Sequence, residues 1–163
     1  ILQYFNKKEN HEKKIAQEIY KLILIKTNSL ITKNDFFIKK NYELSFELIS
    51  IFIILIFNKN INSKISTHKK INEHILSIFI SDLDESLRTI GIGDMSIGKY
   101  VKKYVKRFYY RLSKLHKNKS KNEIGLIDYF EAFKFLKEDK YEFFAKEIFK
   151  EINKFENIYN IKE

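Results

Sequence analysis

The chain has no cysteine and no proline, and only four of its 163 residues are glycine. Without cysteine there is no disulfide, no thiolate metal site and no cysteine nucleophile, and a reducing compartment suits the chain. Without proline, and with so little glycine, a turn-rich all-β protein is disfavoured. Long helices joined by short polar loops are the expectation. Long apolar runs are also missing. The most apolar segment, Leu48 to Phe57 (LISIFIILIF), spans only ten residues between Glu47 and Asn58, where a membrane-spanning helix needs about 20. A buried core helix is expected there instead. Lys7 to Lys14 interleaves lysine with Glu9 and Glu12, unlike a transit peptide, and no signal-peptide pattern follows.

What is present is helical periodicity. Ile15, Ile19, Leu22 and Ile23 place a first helix at about residues 9–27. A polar-aromatic connection from Asn28 to Asn41 follows, with Phe36 and Phe37 tucked against the body. The apolar segment lies on a second helix, about 42–58. Ser63 is a suitable N-cap for a third, whose stripe is Ile71, Ile75, Phe79, Leu83, Leu87 and Ile90, ended by Gly91 in a left-handed conformation. Ser96 caps a fourth, with Ile97, Tyr100, Val101, Tyr104, Val105, Phe108, Leu112 and Leu115 on its apolar face. Ser120 and Glu123 form a capping box for a fifth, ending near Leu136. A sixth, about 138–157, carries Tyr141, Phe144, Ile148 and Ile152. The reading is all-α: a single-domain bundle of about six helices, with no repeat or linker.

Charge is unevenly placed. Between Met95 and Asn122 lie ten lysines and arginines with no acid among them, equal to the formal net charge of +10 for the whole chain. The protein therefore reads as a neutral body carrying one basic element. The fourth helix presents Lys99, Lys102, Lys103, Lys106, Arg107 and Lys114, the candidate partner-binding residues, along a face of about 30 Å. Such a face suits the phosphates of structured RNA or of lipid headgroups. It offers few Arg, Asn or Gln to read base edges, so sequence-specific DNA recognition is not expected.

Catalytic motifs fail on inspection. Asp82 and Asp84 resemble the nucleophile loop of haloacid-dehalogenase-like phosphatases, but apolar residues keep helical spacing on both sides and no parallel-sheet pattern exists elsewhere. An EF-hand loop from Asp82 would need glycine where Leu87 stands and a bidentate Glu where Gly93 stands. Asp84 and Arg88, four apart, make a favourable helical ion pair instead. His11, His68, His74 and His116 are scattered without metal-ligand spacing. No catalytic residue, metal or cofactor is expected, and the chain reads as a non-enzyme.

The segment Phe79 to Asp94 has the skeleton D-x-D-x-x-L-R-x-x-G-x-G-D, built on Asp82, Asp84, Arg88, Gly91, Gly93 and Asp94. It is followed by Lys102-Lys103 and by Phe108-Tyr109-Tyr110-Arg111. This block resembles the ubiquinol–cytochrome c chaperone family, whose pattern runs approximately FFxDMDxxLREMGVGD and then a basic helix ending in FYGR. Phe46-Glu47-Leu48 is similar to the start of the family's apolar helix, and the likeness spans about residues 12–155, with 79–111 its specific part. The chain departs at Thr89 for Glu, Ile90 for Met, Gly98 for a proline-like helix start and Tyr110 for Gly. Ser50 or Phe52 stands where many members carry His. The Tyr110 exchange stands out, because a small residue there permits close helix packing. The resemblance implies an all-α assembly factor for the cytochrome bc1 complex that binds nascent cytochrome b, with a small partner subunit near the ribosomal exit. It further implies a cytoplasmic place beside the inner membrane in a bacterium, or the matrix side in a mitochondrion. The basic face would meet ribosomal RNA or an anionic membrane surface. The alternative is a basic all-α RNA- or ribosome-binding module with no part in bc1 assembly.

Overall fold

The computed structural model describes residues 2–33, 35–60, 66–115 and 122–160, with side chains placed for 11–33, 35–59, 67–115 and 122–155. The α-helices are α1 (Leu2–Lys33), α2 (Tyr42–Asn60), α3 (Ser66–Thr89), α4 (Asp94–Lys114), α5 (Glu123–Phe133) and α6 (Tyr141–Asn160). A 3-10 turn, Glu138–Lys140, leads into α6. The all-α bundle is as expected.

The apolar helix lies at the centre. Every residue from Leu48 to Ile56 is buried, because a helix apolar on all sides is stable only when neighbours cover all of them. Helices α1, α3, α4 and α6 all pack on α2. Phe46 of α2, Phe79 of α3 and Phe108 and Tyr104 of α4 form one aromatic column, with ring centroids 6.1 Å (Phe46–Phe79), 5.2 Å (Phe79–Phe108) and 5.0 Å (Phe46–Tyr104) apart. Buried Asn58 donates to the Leu115 carbonyl at 2.8 Å, tying the end of α4 to α2. No helix among the described residues is long and apolar enough to cross a membrane.

Several boundaries differ from the sequence reading. Helix α1 continues through Lys33, six residues past its expected end. Thr27 is buried and Leu30 and Ile31 pack on the core, so the stripe of Ile19 and Ile23 carries on, and no glycine or proline interrupts it. Gly91 closes α3 at φ +99° as expected, but Ile90 lies beyond the helix and is 56% exposed rather than in the stripe. Helix α4 is capped by Gly93, whose carbonyl accepts from the Ser96 and Ile97 amides; Ser96 lies inside the helix rather than capping it. Asn122 caps α5 by accepting from the Gly125 amide at 3.1 Å. The expected caps Ser63 and Ser120 lie outside the described residues. Helix α5 stops at Phe133, because Lys134 turns left-handed at φ 48°. The chain then extends, and Leu136 bridges antiparallel to Phe37. Ile38 N–H donates to Phe135 at 3.1 Å and Lys137 N–H to Phe36 at 2.8 Å. Phe37 is buried and Phe36 half-buried.

Candidate functional site

Helix α4 divides its charges between two directions. Ile97, Tyr104, Phe108 and Arg111 face the body and are buried. Lys99, Lys102, Lys103 and Lys106 are exposed, and at 100° per residue Met95, Lys99, Lys102 and Lys106 fall on one narrow stripe. Lys99, Lys102 and Lys106 form no ion pair among the described residues. A concavity of about 800 Å³ opens along this part of the helix, lined among the described residues by Gly98, Lys99, Tyr100, Lys102, Lys103 and Lys106. Lys114 is also exposed, its ammonium 5.3 Å from the Tyr110 ring centroid.

The arginines go the other way. Arg111 is buried beside Glu47 of α2, itself only 3% exposed. Its guanidinium donates from Nε at 2.9 Å to Oε2 and from Nη2 at 2.6 Å to Oε1. Arg107, assigned from sequence to partner binding, donates to the same Glu47 at 2.6 Å and also to Glu43. Tyr129 of α5 donates to Glu47 at 3.2 Å, and Tyr104 donates to Glu43. The Arg111 guanidinium lies over the Phe133 ring at 3.4 Å and Arg107 over Phe46 at 5.0 Å. The acids that balance this part of the basic run therefore come from α2, 60 to 64 residues away in sequence.

The electrostatics follow from that geometry. Burial would raise the Glu43 carboxyl, but hydrogen bonds from Tyr104 and Arg107 outweigh it and hold the group below its ordinary range. Burial, then the Glu47 charge, pushes Tyr129 well above the usual phenol value. Lys99 to Lys106 span about 10 Å of the helix, and exposed Lys114 lies about 12 Å further along it. Lys117, Lys119 and Lys121 lie outside the described residues.

The acidic motif is architectural. Helix α3 runs unbroken through Asp82 and Asp84, which removes the strand and loop that a phosphatase reading requires. Asp82 accepts from Tyr20 of α1 at 2.6 Å. Asp84 pairs with Arg88 at 2.6 Å as expected, and Arg88 also reaches Asp94 across the Gly91–Gly93 corner. Among the described residues no three His, Cys, Asp or Glu gather as a metal would need. The Phe108-Tyr109-Tyr110-Arg111 block alternates in role: Phe108 and Arg111 anchor α4, while Tyr109 and Tyr110 are half-exposed. The Tyr110 ring meets Phe133 edge-on at 6.2 Å, so it contacts the end of α5 from the surface.

Glu43 and Glu47 were not singled out from sequence, yet two signals were available. Glu47 is the acid that directly precedes the ten-residue apolar run, and a buried carboxylate requires a cation. Arg107 and Arg111 are arginines in a lysine-rich chain, and arginine is the side chain suited to bidentate, buried pairing.

The family model for ubiquinol-cytochrome C chaperone matches residues 34–129. No curated protein matches. The crystal structure of the Cbp3 homolog from Brucella abortus superimposes with a TM-score of 0.74 at 20% identity, over 95% of this chain and 87% of that chain. That likeness carries the fold.

Proposed function

The chain belongs to the ubiquinol–cytochrome C chaperone family, and from that premise we propose that it is a non-enzymatic assembly chaperone for the cytochrome bc1 complex. Its client is newly made cytochrome b, a small second subunit assists it, and its station is the ribosome exit or the adjoining membrane surface. The family match carries the chaperone part. The docking part rests on one observation: Lys99, Lys102, Lys103 and Lys106 stay exposed while Arg107 and Arg111 are paired with carboxylates of α2. Four solvated ammonium groups on one side of a rigid helix match phosphate, whether of ribosomal RNA or of anionic lipid.

The test is co-sedimentation with ribosomes and, separately, with anionic liposomes. Each lysine near an anionic membrane surface is worth about 1 kcal/mol, so changing all four to Glu should weaken liposome binding by roughly a thousandfold. Because the four side chains are exposed, the far-ultraviolet circular dichroism should not change. Unaltered sedimentation in both arms would end the docking proposal. Equal affinity for unrelated RNAs, with bc1 assembly unaffected by loss of the protein, would favour a general RNA-binding module instead.

A further inference from the structure

We propose that a second cleft, on the side of α4 that carries Arg107, anchors an apolar client segment with an acidic flank; this rests on the chaperone reading and locates its client contact. The cleft has a volume of about 320 Å³ and lies where the α1–α2 connection meets the end of α5. That is the lower end of the range for ligand pockets, suited to one large apolar side chain with its adjoining backbone.

Its walls are apolar carbon facing water. Ile38 is 56% exposed, and Phe133 and Phe135 are only partly covered. Its floor holds Glu43, Glu47 and Arg107, whose charges are already paired with one another, with Tyr104 and Tyr129 and with Arg111 behind them. Neither carboxylate is therefore available to attract a cation. The rim carries Lys39 and Lys134, both exposed and in no ion pair among the described residues, with Lys40 beside them. An incoming segment meets an apolar wall, a satisfied floor and unbalanced positive charge at the edge. An apolar residue flanked by Asp or Glu complements all three, and a lysine-flanked segment is repelled. The wall is also held in place: the Phe37–Leu136 bridge ties its two extended segments together, and the left-handed Lys134 turns the chain so that the Phe135 carbonyl accepts from the Ile38 amide. Preorganisation of this kind lowers the ordering cost of binding.

The experiment is fluorescence anisotropy on the full chain with two labelled peptides. Both carry one Leu-Phe-Leu core; one is flanked by Asp and Glu, the other by Lys. The acid-flanked peptide is expected to bind at least tenfold more tightly. Ile38→Glu, and separately Lys39→Glu with Lys134→Asp, should each weaken it tenfold or more with unchanged helicity, since all three side chains are exposed and Asp tolerates the left-handed backbone. The variant with Glu at 99, 102, 103 and 106 should retain peptide binding. Equal affinity for the two peptides, or indifference to both sets of substitutions, overturns the proposal. So does self-association in sedimentation velocity that Ile38→Glu abolishes, which would make the cleft an interface between two copies. If cytochrome b is captured equally well by Ile38→Glu, the cleft fails and the chaperone reading stands. If the acid-flanked peptide binds as predicted while cytochrome b is never captured, the chaperone reading fails and the cleft stands.

Discussion

Replacing Glu47 with Ala should be among the most destabilising single changes in the fold. The carboxylate is 3% exposed and receives both Nε and Nη2 of Arg111, Nη2 of Arg107 and the Tyr129 hydroxyl. Removing it strands a buried guanidinium, which costs about 3–5 kcal/mol when one partner of a buried pair is lost. A domain of this kind has about 5–15 kcal/mol in total, so the variant keeps its fold narrowly. Arg107 is less affected, because it is half-exposed and retains Glu43. Urea denaturation followed by circular dichroism measures the loss. With a slope of about 2 kcal/mol/M, the midpoint should fall by about 1.5–2.5 M. Arg111→Leu leaves Glu47 paired with Arg107 and Tyr129 and should cost less, about 1–3 kcal/mol. The double variant Glu47→Leu with Arg111→Leu buries neither charge and should be more stable than the sum of the singles by at least about 2 kcal/mol. Singles that each cost under about 1 kcal/mol, or that add within about 0.5 kcal/mol, would refute the claim that this pair organises the α2–α4 contact.

Gly98 and Gly91 should respond in opposite directions to the same substitution. Gly98 lies inside α4 with open space where a Cβ would sit, so Gly98→Ala should stabilise by about 0.5–1 kcal/mol. Gly91 holds φ +99°, so Gly91→Ala should destabilise by about 1–2 kcal/mol, and thermal melts distinguish the two signs. Glu43 is held below its ordinary range by Tyr104 and Arg107 against the effect of burial. A depressed carboxyl contributes stability above its unfolded value of 4.5 and loses it as pH falls through the folded value. Glu43→Gln should therefore flatten the stability profile on the acid side of pH 4.5, and an unchanged acid limb would contradict this. Tyr42 is pushed up to about 12 by burial and then by the Asp82 and Glu43 charges. Its contribution is complete below pH 10.0 and declines as pH rises toward 12, so Tyr42→Phe should remove part of the alkaline slope while costing little at neutrality.

What local pattern governs was readable in advance. The run Leu48–Phe57 has no polar side to show water, which placed it at the centre before any contact was known. The four-residue steps of Ile71, Ile75, Phe79, Leu83 and Leu87 mark the buried side of α3, and Gly91 its end, since only glycine takes that backbone angle readily. The misreadings concern what depends on distant partners. Arg107 looks like a further member of a solvated basic face until Glu43 and Glu47 are brought alongside by the packing of α2 on α4. Phe135 and Leu136 look like the last turn of α5 until Phe37 offers them a bridge. Ser96 is the better cap by residue type, but the corner brings the chain into α4 three residues earlier, at Asp94, where Arg88 neutralises the carboxylate.

The central claim is that this chain holds newly made cytochrome b while its α4 lysines keep it at the site of synthesis. Affinity capture of the intact protein from pulse-labelled cells making bc1 complex tests it most directly. Labelled cytochrome b should be recovered within the pulse and decline during the chase as assembly proceeds. The variant with Glu at 99, 102, 103 and 106 should recover markedly less, although it is equally folded. Absence of cytochrome b from the wild-type capture at every time point would contradict the account.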